Sequence, residues 1–145
     1  MIVLELPWPP SVNHYYRHVG PRVLISKDGR KYRDIVSKRI QGANIPQRKD
    51  EVELSIQLYP PDNRRRDVDN VLKCLLDTLT AAGLYEDDSQ IKFLAMEKLE
   101  SMPPNGMVVL FVEHYRKSFS EKFWSFITKN FKLGAKNEKS SSSEG

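Results

Sequence analysis

At 145 residues, with 39% hydrophobic and 29% charged side chains and a mean hydropathy of −0.54, the chain has the length of one domain able to bury its own core. No apolar run approaches the roughly 20 residues that span a bilayer, the first residues lack the cationic region and small-residue cleavage site of a secretory leader, and the single cysteine, Cys74, has no internal disulfide partner. A cytoplasmic protein with no membrane association is expected.

The net charge of +4 hides a pattern: residues 1–50 carry ten Lys/Arg against four Asp/Glu (+6), residues 51–114 six against twelve (−6), and residues 115–145 seven against three (+4). An acidic middle between basic flanks suits a polyanion held at its edges and worked on at the centre, and nucleic acid is the natural candidate. A charge-balanced surface with no partner is the plainer alternative.

In chain order, Ile2 to Leu6 reads as a strand, stopped by Pro7-Trp8-Pro9-Pro10, which has too few backbone donors for a sheet ladder. Ser11 to His18 follows as a stiff aromatic loop. Val23 to Ile25 predicts a short strand, and Ser26 is placed to cap a helix running to about Gly42, with Tyr32, Ile35, Val36 and Ile40 at helical spacing. Glu51 to Tyr59 alternates Val52, Leu54, Ile56 and Leu58 against polar residues, a half-buried strand closed by Pro60-Pro61-Asp62-Asn63. A second helix is expected from about Asp69 to just before Gly83, with Leu72, Leu75, Leu76 and Leu79 as its apolar stripe and Cys74 a small buried neighbour. Gln90 to Leu99 and Met107 to His114 predict two strands joined through residues 101–106 as an antiparallel hairpin.

This order is that of an α/β (α+β) domain over residues 1–114, a small mixed β-sheet packed with two main helices. Residues 115–133 predict a basic amphipathic helical extension with Phe119, Phe123, Phe126, Ile127 and Phe131 on one face, docking by default on protein. Residues 134–145 are expected to be a disordered polar tail.

Residues 64–73, Arg-Arg-Arg-Asp-Val-Asp-Asn-Val-Leu-Lys, have the composition of a site for a phosphate and a divalent cation. Residues i and i+2 share a side in extended chain but diverge by about 200° in a helix. Asp67 and Asp69 therefore chelate together only if the chain is extended through Asp67 and enters the helix near Asp69. Lys73 lies one turn beyond Asp69, and both are expected to be partly buried at the rim of the leucine face. Oxygen-only ligands select a hard cation, Mg²⁺ with Mn²⁺ as a substitute. Asp67, Asp69 and one acid of the Glu86-Asp87-Asp88 turn are the ligands, Asp88 being the better placed before the strand at Gln90, and Lys73 faces the phosphate. The competing reading makes Asp67 or Asp69 a helix cap, Asp69 and Lys73 a surface ion pair, residues 86–88 a solvated turn and Arg64 to Arg66 a solvated loop. Asp77 is left as a salt-bridge or supporting residue, and spacing alone keeps both readings open.

Leu6-Pro7-Trp8-Pro9-Pro10-Ser11 with Asn13 and Tyr16-Arg17, then Arg64 to Asn70, then Asp77-Thr78-Leu79-Thr80-Ala81-Ala82-Gly83, then Asp87-Asp88-Ser89-Gln90-Ile91 together resemble the RusA family of Holliday junction resolvases. The similarity runs in order from Met1 to about His114. It implies a small α/β fold and a homodimeric, Mg²⁺-dependent endodeoxyribonuclease, often phage or prophage encoded, that cuts four-way junction DNA in paired symmetric incisions. It also implies catalytic aspartates at Asp67, Asp69 and Asp88, an essential lysine at Lys73, and DNA contacts from the motif residues Asn13, Tyr16, Arg17, Arg64, Arg65, Arg66 and Asn70. Residues 115–145 have no counterpart in the family pattern. A DNA-binding module without catalysis and a metal-dependent nuclease for other branched nucleic acids are the competing functions.

Overall fold

Alternation sets the sheet. In β1 (Ile2–Leu6), β4 (Val52–Tyr59) and β6 (Met107–His114) every second side chain is buried, and the register aligns them in rows, Leu4 beside Leu110 beside Ile56 and Leu6 beside Val108 beside Leu58. With β5 (Ile91–Lys98) these strands form a mixed four-stranded sheet in the order β1-β6-β4-β5. The computed structural model describes residues 1–131, without the side chains of residues 117–120 and 122. The chain divides into two units, Met1–Tyr115 and Arg116–Gly145.

One face of the sheet is covered by α2 (Lys27–Gly42), which buries Tyr32, Val36 and Ile40, and α3 (Val68–Ala81), which buries Val71, Cys74, Leu75, Thr78 and Leu79. Ser26 caps α2 as expected, its hydroxyl accepting from the Gly29 amide at 3.0 Å. The apolar stripe of α3 is centred further round than the leucines alone predict. Leu72 and Leu76 are only half-buried, because Val71, Cys74 and Thr78 take the innermost positions.

The expected hairpin of the last two strands is not formed. β5 runs parallel to β4 on one side, β6 runs antiparallel to β4 on the other, and residues 99–106 step over the end of β4, with the Leu99 amide on the Leu58 carbonyl and the Met102 amide on the Pro60 carbonyl. Residues 99–106 are long enough for this crossing, and a parallel β4–β5 pair needs a crossover element, which α3 supplies.

The aromatic loop is also more ordered than its sequence suggests. It contains a single helical turn, α1 (Val12–Tyr15), and a strand, β2 (Tyr16–Val19), paired with β3 (Arg22–Ile25) through Gly20 at φ +58°. Tyr15 is fully buried, its hydroxyl 2.8 Å from Thr78 Oγ1 and accepting from Arg33 Nε at 2.7 Å. Gly29 permits this packing, since a Cβ there would lie 2.5 Å from the Tyr15 carbonyl oxygen.

In the second unit, α4 (Lys117–Phe131) carries exposed Phe123, Trp124, Phe126 and Phe131. The tail expected over residues 134–145 lies outside the described residues.

Candidate active site

The loop entering α3 is organised by Asp62. Its carboxylate accepts from the Arg64 amide at 2.9 Å and from Arg66 Nη1 and Nη2 at 2.5 and 3.1 Å, and the Arg66 guanidinium lies 5.9 Å from the centre of the Trp8 ring. That pairing, led by the Arg66 hydrogen bonds, holds the Asp62 pKa down at about 2. Arg64 and Arg65 stay exposed. Arg66 is thus largely committed to structure while its two neighbours face solvent.

Asp67 sits at the N-cap of α3 in extended geometry, φ −84° and ψ 130°, but its side chain caps nothing. Val68 is the first helical residue, one position earlier than expected, and Asp69 stands in the first turn. Both aspartates are exposed, and among the described residues neither carboxylate has a hydrogen bond or ion pair. The capping role is therefore unfilled by either side chain, although their negative charge is favourable at a helix N-terminus.

Lys73, expected at a half-buried rim, is exposed, as is Asp69. The rotation of the apolar stripe toward Val71 and Cys74 carries both outward. They form no ion pair with each other; instead Lys73 Nζ lies 5.4 Å from the centre of the Tyr16 ring. The Tyr16 hydroxyl donates to Asp77, one turn beyond Lys73. Tyr16 reaches these residues because β2 starts where α1 packs on α3.

Two grooves flank α1. One, of about 440 Å³, is lined by Trp8, Ser11, His14, Arg65, Asp67 and Asn70 among others; the second, of about 570 Å³, by Asn13, Tyr16, His18, Lys73 and Asp77 with Val12 and Val23. Every motif residue named for DNA contact except Arg17 and Arg64 borders one groove or the other, Arg66 lining the first beside Trp8. Arg17 is exposed on β2.

The acidic turn forms a 3₁₀ segment, Asp88–Gln90, capped by Asp87, whose carboxylate accepts from the Ser89 amide at 3.1 Å. Asp87 is thereby used in holding the turn and Asp88 is left exposed without a hydrogen-bond partner among the described residues, which separates the two acids as the sequence reading does. Burial and then the nearby charge of Asp88 raise the pKa of Asp77. Asp88 therefore lies near enough to Asp77, on the polar side of α3, for its charge to be felt there.

The polar face of α3 thus runs Asp69, Lys73, Asp77, with Asp67 at the N-cap before it and Asp88 near Asp77. Among the described residues no three His, Cys, Asp or Glu side chains converge into a group that could enclose an ion. The donors are hard oxygens throughout, the chemistry that suits Mg²⁺, which commonly takes one or two protein carboxylates and fills the rest with water and phosphate. Sequence reasoning missed two residues, Tyr16 as partner of Asp77 and Gln90 as the tie of the acidic turn, because both act across long stretches of chain. Cys74 is inert, its thiol pushed up to about 11 by burial. No helix among the described residues is long and apolar enough to cross a membrane.

Residues 7–110 match the sequence model of the endodeoxyribonuclease RusA family. Among individual proteins, the chain is 45% identical over 94 residues to the crossover junction endodeoxyribonuclease RusA of Enterobacteria phage 82, covering 61% of this chain and 74% of the relative. Over the same span and with the same coverage it is 45% identical to the protein of that name from Shigella sonnei and 44% identical to that from Escherichia coli K12.

Proposed function

The chain belongs to the RusA family and is a crossover (Holliday) junction endodeoxyribonuclease, and from that premise we propose that Asp67, Asp69, Lys73 and Asp88 carry its phosphodiester hydrolysis with Mg²⁺. The observation that carries this assignment is the freedom of the Asp67 and Asp69 carboxylates, both exposed at the start of α3 and used neither as caps nor as ion pairs. Mg²⁺, or Mn²⁺ in its place, supplies Lewis-acid stabilisation of a phosphoryl oxygen and makes water more acidic. Asp67 and Asp69 hold the cation and Asp88 contributes a further carboxylate. Lys73, its ammonium exposed over the Tyr16 ring, offers fixed positive charge to the scissile phosphate.

Arg64 and Arg65 engage the neighbouring phosphates, and Asn13, Arg17 and Asn70 extend the DNA contact along the grooves beside α1. Tyr16 contributes through its ring, its hydroxyl being held by Asp77. Two copies form the working enzyme in the cytoplasm, matching a two-fold protein to the pseudo-two-fold junction so that paired cuts need no further machinery.

The test is Asp69→Asn on a four-way junction. Cleavage in Mg²⁺ falls by on the order of a thousandfold, several kcal/mol of barrier, while junction affinity in EDTA is unchanged or higher because a negative charge facing phosphate is gone. Wild-type cleavage by this variant, or cleavage by the wild type in EDTA, contradicts the assignment.

A further inference from the structure

Asp88 stands on a segment of only three residues at the surface, with no apolar side chain of its own to anchor it. What fixes the turn is the side chain of Gln90. Its Oε1 accepts from the amides of Glu86 and Asp87 at 2.8 and 2.9 Å, and its Nε2 donates to the carbonyls of Arg48 and Asp50 at 3.1 and 2.9 Å. Both protons and both lone pairs of the amide are used, and the pattern admits only one orientation of the group.

The far side of this clamp is itself held. Arg48 donates from Nε and Nη2 to the two Asp50 carboxylate oxygens at 2.8 and 2.6 Å, and His114 Nδ1 lies 2.6 Å from Oδ2, at the end of the central strand β6. The Arg48 amide donates to the Leu84 carbonyl at 2.9 Å, bringing residues 48–50 alongside the acidic turn.

We propose that Gln90 is the positioning residue for Asp88, transmitting the fixed location of β6 and the 48–50 segment to the carboxylate that completes the active site. The proposal rests on the assignment of Asp88 above. Gln90 touches neither DNA nor cation; it acts by removing the freedom of the turn on which Asp88 is mounted. A carboxylate that wanders binds a cation more weakly, so the signature is a displaced metal dependence.

Gln90→Glu is close in shape and keeps the acceptor for Glu86 and Asp87 but loses the donors to Arg48 and Asp50; Gln90→Leu loses all four bonds. In single-turnover cleavage of a four-way junction, Gln90→Glu raises the Mg²⁺ concentration for half-maximal rate by about 10-fold, and Gln90→Leu by up to about 100-fold, the range of losses at residues that orient metal ligands. Junction affinity measured in EDTA stays within about twofold. Calorimetric titration of Mn²⁺ into the free proteins shows the same order of weakening. A folded Gln90→Glu with the wild-type Mg²⁺ midpoint and wild-type Mn²⁺ affinity overturns the proposal, as does a loss of rate matched by an equal loss of junction affinity with the midpoint unmoved. Asp88→Asn is measured in parallel. Normal cleavage by it removes Asp88 from the active site, whereas an inactive Asp88→Asn beside a normal Gln90→Glu overturns the positioning role alone.

Discussion

The Arg66 guanidinium is spoken for, pinned to Asp62 and lying over Trp8, while Arg65 next to it is open to solvent. Three arginines that look alike in sequence therefore divide their labour. The pairing has a pH signature. The folded pKa of Asp62 is depressed from its ordinary value to about 2, so its contribution to order in the 62–66 loop is fully present above about pH 4, the unfolded pKa, and is lost as pH falls toward 2. A carboxyl NMR titration finds a midpoint near 2 in the wild type and a higher one in Arg66→Ala, where the leading partner is gone and the Arg64 amide remains; an unshifted midpoint in Arg66→Ala contradicts the account. At this scale the acids chosen from the sequence, Asp67, Asp69 and Asp88, stand free while Asp87 is consumed as a cap, which is compatible with the proposed assignment. The sequence was silent about the bonds of Gln90 to Arg48 and Asp50 and of Tyr15 to Thr78, some 40 and 63 positions away, because hydrogen bonds of that span leave no local pattern.

Helix α3 carries most of the proposed site, and its rotation about its own axis decides which of these groups face solvent. Reading the leucines alone turns the helix slightly wrongly and tucks Asp69 and Lys73 into the rim. Cys74 and Thr78 pack inward in their place, Thr78 by giving its hydroxyl to the Cys74 carbonyl at 2.7 Å, so a polar residue occupies a core position that a hydrophobicity pattern leaves out. The short α1 and β2 were unreadable for a related reason: their order comes from Tyr15 inserting between α2 and α3, not from local periodicity. Their service to the site is the Tyr16 ring under Lys73. Replacing it by Tyr16→Leu removes both the ring and the bond to Asp77, and the cleavage rate at saturating junction drops by roughly 10-fold or more as the lysine loses its fixed position. Full activity in Tyr16→Leu would show that Lys73 needs no such support.

At the scale of the whole molecule, the strands of the four-stranded sheet were legible from alternation and its mixed character from the order of elements, but strand order was not, because periodicity says which face is buried and nothing about which neighbour is chosen. The two final strands looked like a hairpin only because they are adjacent in sequence. In the fold, β6 lies between β1 and β4, and it is the last strand among the described residues. Ribosomes therefore deliver the keystone after everything it joins. Until Met107 to His114 has emerged, β1 has no neighbour, β4 has only β5, and the anchor that His114 provides for the acidic turn does not exist. A fragment ending at residue 106 is expected to show no cooperative thermal transition by circular dichroism, whereas one ending at residue 115 melts as a unit; a cooperative melt of the shorter fragment would refute this. The arginines and aspartates of the proposed site are thus translated before the strand that ties their scaffold together, and a nascent or prematurely terminated chain is expected to lack the activity that could nick the genome of the cell making it.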